Sequence, residues 1–452
     1  MQPPVTHGEP TTRNGSAPGA IPADVAVVGL GYAGLTMAIK LAETGVVVLG
    51  CDADAEVVDQ LSRREAPFFE RGIDERLAGL DANRFRVSQT LPDTLPPTIV
   101  IAVGTPLDAR LQTPNLSAVT AVLKEIAARA DDDTLVILRS TLPVGASRRL
   151  AVGMLAGRIA EPLVAFCPER TSQGAAMDEL PRLPQVVGAS TEEAARRAEE
   201  LFSHFAPRSV RMSSLEAAEL VKLVNNAHTD LLYAFGNEVG RIAEVLGLDA
   251  AEVIAGANAD YPRPHIARPG PVGGSCLTKD PLLLMHSAAE AGYLPPLIAT
   301  AREINKAVVD RVAATVIAAL ADVHGDPRNC DVLLCGIAFK GLPETDDIRS
   351  TPAAAVGERL RPYVRSLRAH DPVVGAAAIE ELGFTACELP AGASGAHAVV
   401  VLTEHPAYAG NTLGQAVSCM VRRPVVYDVW GVGTSAIQAA EQDVVHLRLG
   451  RA

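Results

Sequence analysis

The fold is decided by Val25-Ala-Val-Val28-Gly29-Leu30-Gly31-Tyr32-Ala33-Gly34-Leu35 and by the run that follows, Val46-Val-Val-Leu-Gly50-Cys51-Asp52. Val25 to Val28 is a short apolar run of the kind that forms a buried parallel strand. Leu35 to Thr44 carries apolar residues at helical spacing, and Val46 to Gly50 reads as a second strand. Three glycines in G-x-G-x-x-G order thus lie between a strand and a helix, with an acid eighteen residues past Gly34. Each has a physical role in a dinucleotide site: Gly29 makes the tight turn, Gly31 admits a pyrophosphate, and Gly34 packs helix on strand. Asp52 then binds the ribose hydroxyls and favours NAD over NADP. A glycine-rich turn in an unrelated α/β protein would leave Asp52 without a role.

The unit repeats. Thr98-Ile-Val-Ile-Ala-Val103 leads into Gly104-Thr105-Pro106, and Thr134-Leu-Val-Ile-Leu138 leads into Ser140-Thr141-Leu-Pro-Val-Gly145. Alternating strands and helices predict a parallel, doubly wound sheet whose ligand crevice lies at the C-terminal strand ends, where Thr105 and Thr141 fall. Leu163-Val-Ala-Phe166 delivers Cys167-Pro-Glu169-Arg170 to the same edge. A carboxylate there is open to two readings, general base or helix-start residue.

The middle of the chain changes character. Ser213-Ser214 caps a helix expected to run to about Leu246 before Gly247, with Leu215, Ala218, Val221 and Val224 forming an apolar stripe. Lys222 and Asn226 are four apart and project from one face. A solvated Lys–Asn pair is the ordinary alternative, but the apolar residues around them make such a donor face costly without an anionic partner. A helix of this length links domains or forms a dimer core. The proline-punctuated, cationic Ala259 to Arg268 segment reads either as a solvated loop or as an arm over an anionic ligand. It leads into Gly270-Pro-Val-Gly273-Gly274-Ser-Cys276-Leu-Thr-Lys279-Asp280-Pro281. The paired glycines can take φ > 0 and let a ligand approach, and Asp280 can cap a helix that starts at Pro281. A thiol beside a helix N-terminus and a lysine tends toward thiolate, the form a nucleophile needs. For this stretch alone, an inert cysteine is the plainer alternative.

The last third repeats the α/β pattern without the full glycine fingerprint. Asp331-Val-Leu-Leu334, Ala398-Val-Val-Val-Leu402 and Pro424-Val-Val-Tyr-Asp428 read as strands. The fold class is therefore α/β: two Rossmann-like doubly wound domains joined by a central helical domain with one long helix. The expected boundaries are a disordered leader at 1–22, a dinucleotide domain at 23–208, a helical domain at 209–322 and a second Rossmann-like domain at 323–452. Lys340 and Arg349 are candidate phosphate contacts, or surface charges near turns.

Bulk properties narrow the function. A net charge of −13 argues against nonspecific nucleic-acid binding. Seven scattered cysteines without metal-type pairs or a secretory segment suggest reduced thiols in a cytoplasmic setting and no metal. No apolar run reaches membrane-spanning length.

Taken in order, these motifs resemble the nucleotide-sugar 6-dehydrogenases, the family of UDP-glucose and UDP-N-acetylhexosamine dehydrogenases. The resemblance runs from about residue 24 to about residue 435. It rests on Gly29 to Gly34, Gly104-Thr-Pro106, Ser140 to Gly145, Pro168-Glu-Arg170, Lys222 with Asn226, Gly273 to Cys276 with Lys279-Asp280, and Ala338-Phe-Lys340 with Asp347-Ile-Arg349. It implies oxidation of a UDP-sugar C6 alcohol to a carboxylate with two NAD reduced, through a Cys276 thiohemiacetal and thioester. It further implies Lys222 and Asn226 as alkoxide stabilisers, Asp280 and Thr141 as water-orienting and proton-transfer groups, and Glu169 as base in hydrolysis. Tyr32, Ala33, Leu35, Asp52, Thr105, Thr141 and Lys279 join the glycines around the cofactor. Glu169, Arg170, Lys222, Asn226, Gly273, Lys340 and Arg349 join around the sugar nucleotide. Arg263 is expected to reach the partner's site in a homodimer built on the helical domain. Pro-Glu-Arg170 resembles the N-acetylhexosamine branch, while Gly-Gly-Ser-Cys276 is the style of the UDP-glucose branch. His405 and Trp430 depart from the family pattern. A two-electron β-hydroxyacid-type dehydrogenase, which needs no cysteine, and a catalytically silent sugar-nucleotide sensor are the competing readings.

Overall fold

Eight strands form the first sheet: β1 (Val25–Val28), β2 (Val48–Cys51), β3 (Phe85–Ser88), β4 (Thr98–Ile101), β5 (Leu135–Leu138), β6 (Leu163–Phe166), β7 (Gln185–Ala189) and β8 (Ser209–Arg211). The computed structural model describes residues 22–108, 110, 112–262, 265–438 and 443–451, so all of the expected leader except Pro22 lies outside the described residues. The strand order is 3-2-1-4-5-6-7-8. β1, β4 and β5 are buried along their whole length, as expected of strands covered on both faces. Alternate β1 residues feed opposite layers: Val25 and Val27 pack with Leu35 and Met37, while Ala26 and Val28 pack with Ile99 and Leu123.

The expectation of a wholly parallel sheet needs correction. β7 pairs antiparallel with β6, and β8 then runs parallel to β7. A parallel return needs a crossover, usually a helix. The chain between β6 and β7 instead forms a loop and one helical turn, Ala176–Glu179, so it doubles back.

The long helix spans Leu215–Leu246. Ser214 caps it by accepting the Ala217 N–H, and Gly247 ends it at φ 72°. Helices Asp280–Glu290 and Pro296–His324 pack against it. The second sheet follows with β9 (Asp331–Cys335), β10 (Ser366–His370), β11 (Thr385–Ala386), β12 (Ala398–Val401), β13 (Val425–Asp428) and β14 (Val445–Leu447). Its order is 11-10-9-12-13-14, parallel throughout. Beyond β14 the chain returns to the helices, where Arg448 pairs with Asp249 and the Gly450 N–H donates to Glu244 Oε1 at 2.8 Å.

The second sheet domain sits directly on the cysteine loop. A β-carbon on Gly270 would lie 2.1 Å from the Trp430 ring, and one on Gly273 would lie 2.4 Å from Pro352. Gly274, at φ 86°, would place its β-carbon 2.6 Å from the Phe339 ring. Gly274→Ala is expected to lower stability by about 1–3 kcal/mol, from a clash and an unfavourable φ together. Gly256→Ala, on helix Ala250–Asn258 with open space around it, is the control. Thermal unfolding should show a lower Tm for the first and an equal or higher Tm for the second.

Candidate active site

The dinucleotide crevice is built as the glycines require. Gly29 has φ 93°, and a β-carbon there would be 2.8 Å from the Ala102–Val103 backbone. One on Gly34 would be 1.8 Å from the Gly29 carbonyl oxygen, whereas one on Gly31 would meet nothing within 4 Å. Helix Tyr32–Glu43 starts after Gly31 with no side-chain cap and no acid in its first turn, which leaves its N–H groups and dipole open to an anion. Asp52 Oδ2 accepts the Leu30 N–H at 2.7 Å, and Oδ1 accepts that of Asp54 at 3.0 Å. Each carboxylate oxygen keeps further acceptor capacity for ribose hydroxyls, so these residues fit NAD. Leu35 is fully buried, so its side chain serves the core. The Tyr32 hydroxyl donates to Asp346 Oδ1 at 2.5 Å and its ring lies 4.0 Å from that of Phe68.

The cysteine loop meets the crevice through Lys279. Its Nζ donates to Thr105 Oγ1 at 3.2 Å, and Thr105 Oγ1 donates to the Thr141 carbonyl at 2.7 Å. Cys276 is exposed, and its carbonyl accepts the Asp280 N–H at 2.8 Å. Of the paired glycines only Gly274 takes positive φ, and both are packed by the second sheet domain, so the expected flexible turn is a clamped one. Asp280 is the first helical residue and Lys279 the N-cap, which corrects the expected cap. The Asp280 side chain is fully buried. Its Oδ2 accepts from Asn226 Nδ2 at 2.5 Å, while Oδ1 accepts no hydrogen bond and has Lys279 Nζ at 3.4 Å. Lys222, one turn before Asn226, is 8% exposed and forms no hydrogen bond or ion pair among the described residues.

Glu169 lies where Lys222 acts on it electrostatically. Burial raises its pKa, but the Arg139 guanidinium, the Thr171 N–H and Lys222 outweigh burial and hold it below the usual carboxylate range. Arg139, which the sequence reading missed, is 3% exposed; it pairs with Glu169 and donates to the Cys167 carbonyl and Gln185 Oε1, each at 3.1 Å. Arg170 points to the Pro184 carbonyl. Glu219, also missed, is fully buried on the long helix and accepts the N–H groups of Gly145, at 2.5 Å, and Ser147, at 2.7 Å, which fixes the turn after Thr141.

From the second sheet domain, Lys340 and Arg349 both lie within electrostatic range of Cys276. Lys340 donates to Ser172 Oγ at 2.8 Å and the Gln173 carbonyl at 2.7 Å, and burial pushes its ammonium below the usual lysine range. Arg349 forks onto Asp347 at 2.9 and 2.7 Å and lies over the Tyr32 ring. Asp346 also accepts the Phe69 N–H at 2.8 Å, so the loop bearing Arg349 is fastened to the dinucleotide domain. His405 Nε2 lies 3.2 Å from Glu344, and Trp430 donates to the Leu402 carbonyl at 2.8 Å. Arg263 lies outside the described residues.

Family models for the UDP-glucose/GDP-mannose dehydrogenase family match in the same order: its NAD binding domain over residues 23–206, its central domain over 216–307 and its UDP binding domain over 333–434. The chain belongs to this family. It is thus an NAD-dependent nucleotide-sugar dehydrogenase, an oxidoreductase, and NAD is its cofactor. It is 33% identical over 393 residues to a UDP-N-acetyl-D-mannosamine dehydrogenase of Pyrococcus horikoshii, covering 85% of this chain and 90% of the relative. It is 32% identical to one of Escherichia coli, covering 74% and 82%. The structure of the Pyrococcus horikoshii UDP-D-ManNAc dehydrogenase superposes with TM-score 0.85 at 30% identity, over 94% of this chain and 99% of that one. That of a Pyrobaculum islandicum UDP-glucose dehydrogenase superposes with TM-score 0.80 at 25% identity, over 97% and 100%. Among the described residues no helix is long and apolar enough to cross a membrane.

Arg139→Met leaves Glu169 buried without its cation and is expected to cost about 3 kcal/mol at pH 7. Protonated Glu169 needs no cation, so the deficit should narrow as pH falls through the ordinary carboxylate range near ~4.3. Denaturant unfolding of both proteins across that range checks it.

Proposed function

We propose that the chain oxidises the C6 hydroxyl of a UDP-N-acetylhexosamine, such as UDP-ManNAc or UDP-GlcNAc, to the uronic acid, with Cys276 as covalent anchor. The observation that supports this best is the exposed Cys276 thiol one turn before a buried Asp280, with Asn226 on that carboxylate and Lys279 reaching Thr105 in the dinucleotide crevice. NAD, when bound, accepts one hydride in each of two oxidations. In the first, the alcohol loses a proton and a hydride to become an aldehyde. Cys276 Sγ adds to the aldehyde carbon to give a thiohemiacetal. Loss of the second hydride together with the hydroxyl proton gives a thioester, and water displaces the sulfur to leave the carboxylate and a free thiol.

Lys222, buried and with no hydrogen bond or ion pair among the described residues, holds the alkoxide and later the oxyanion. Asn226 spends one amide N–H on Asp280 and keeps the second for the same oxygen. Asp280 Oδ1, buried and accepting no hydrogen bond, takes the proton. Thr141 orients the hydrolytic water. Glu169 is ionised but clamped by Arg139, which weakens it as a base, so it stabilises Lys222 and positions water. Lys340 and Arg349, from the UDP binding domain, and Arg170 and Gly273 complete the sugar-nucleotide site, and Arg263 is assigned to the neighbouring subunit's site.

A homodimer follows from the outer face of the long helix. Leu220, Val224, Phe235, Ile242 and Val245 are 41–67% exposed and recur every three to four residues or multiples of that spacing, so they share one face.

Turnover should release two NADH per UDP-sugar consumed, read at the NADH absorbance across UDP-ManNAc, UDP-GlcNAc, UDP-GalNAc and UDP-glucose. Cys276→Ala should abolish the uronic acid product. One NADH per sugar, or full turnover without the thiol, would sink the four-electron reading; preference for UDP-glucose would move the substrate. Separately, Phe235→Glu with Ile242→Glu should halve the mass measured by light scattering, and an unchanged mass would place the interface elsewhere.

A further inference from the structure

Both ends of the cysteine loop run into one buried chain of polar side chains that no catalytic step uses. At the start of the loop, the Gly270 N–H donates to Asn237 Oδ1 at 2.7 Å. Asn237 Nδ2 donates to Asn305 Oδ1 at 2.8 Å, and Asn305 Nδ2 donates to Asp230 Oδ1 and to the Asp230 carbonyl, both at 2.8 Å. Arg302 closes the chain: its Nη1 donates to Asp230 Oδ1 at 2.5 Å and to the Leu277 carbonyl, next to Cys276, at 3.1 Å. Asp230, Asn237 and Asn305 are 1–2% exposed. Asp230 and Asn237 lie on the long helix, eight and fifteen residues past Lys222, while Arg302 and Asn305 lie on helix Pro296–His324.

Core packing alone does not call for this chain. Asp230 Oδ2 is buried and accepts no hydrogen bond, so the chain is not fully satisfied, and apolar residues of similar volume would hold two helices together as well. Both amides have a defined sense, because flipping either would set donor against donor or acceptor against acceptor. The chain therefore fixes where Gly270 and Leu277 stand relative to the helix that carries Lys222 and Asn226.

We propose that Asp230, Arg302, Asn305 and Asn237 are positioning residues that set the register of the Cys276 loop against Lys222 and Asn226. The proposal rests on Cys276 being the covalent anchor. Arg302→Lys keeps the charge beside Asp230 but loses the reach to Leu277, and Asn237→Ala frees Gly270. A misplacement of about 1 Å at a reacting group costs up to ~100-fold. Each variant is thus expected to lose 10- to 100-fold in kcat, with KM for NAD and UDP-sugar within about twofold of wild type. Alkylation of Cys276 by iodoacetamide, followed by peptide mapping, should change rate, while that of Cys419, exposed in the UDP binding domain, should not. Wild-type kcat in either folded variant, or Cys276 and Cys419 rates that move together, would overturn the proposal. Should Asn237→Ala fail to fold, the milder Arg302→Lys decides. Cys276→Ala separates the two levels: if it keeps two-NADH turnover the anchor reading itself falls. If it is inactive while the network variants match wild type, only the positioning role falls.

Discussion

The absence of β-carbons on the cysteine loop is the constraint on which the rest of the arrangement depends. Trp430, Pro352 and Phe339 occupy the space that side chains at Gly270, Gly273 and Gly274 would need. Backbone-to-ring contact at that range brings the UDP binding domain down onto the loop and puts Lys340 and Arg349 within electrostatic range of Cys276. Any larger residue would lift that domain off the loop and take those two cations with it. Glycine serves here to admit protein, and only Gly274 uses the left-handed backbone that glycine allows.

The long helix organises the opposite side. Its inward face carries Lys222, Asn226, Asp230 and Asn237 in sequence, so one rigid element presents the Lys222–Asn226 pair and the residues bonded to the cysteine-loop network at fixed separations. At 1.5 Å per residue the stripe is about 22 Å long. Glu219, a turn earlier, grips the Gly145–Ser147 backbone and so ties the dinucleotide domain to the same helix. Groups from three parts of the chain are therefore registered against one element, which is economical because a helix bends little over that distance.

Strands β1, β2, β4, β5, β6, β9, β12 and β13, the glycine fingerprint, and the Ser214 cap and Gly247 end of the long helix were legible in the sequence because each is a local pattern. What stayed hidden was pairing. Arg139 reads as an ordinary residue after β5, and nothing local shows that it will be buried against Glu169. Nor does local sequence show that Asn226 spends an amide hydrogen on Asp280. The antiparallel β7 was missed for a related reason: alternation of elements predicts direction only when a crossover helix is present. The Leu215-Ala218-Val221-Val224 stripe drifts off the core at its end, leaving Val224 46% exposed, because a spacing of three falls short of the helical repeat.

Two successive oxidations at one thiol would make unequal demands on the contacts between domains. The dinucleotide must be exchanged after the first hydride has left, while the sugar stays on the loop. Two sets of contacts bear on these demands. Tyr32 and Phe69 join the dinucleotide domain to Asp346 through two hydrogen bonds beside the glycine turn. The cysteine loop is held elsewhere, by Asn237 and Arg302 below and by Phe339 and Pro352 above. The upper contacts belong to the same loop as Asp346, since the Phe339 N–H donates to the Asp347 carbonyl at 3.0 Å and the Gly274 N–H to the Ser350 carbonyl at 3.2 Å, but the bonds to Gly270 and Leu277 from the two helices do not pass through it. On the proposed reaction, a single clamp closing both regions would have to release the anchored intermediate each time NADH departed, whereas Asn237 and Arg302 hold the cysteine loop from the helices alone.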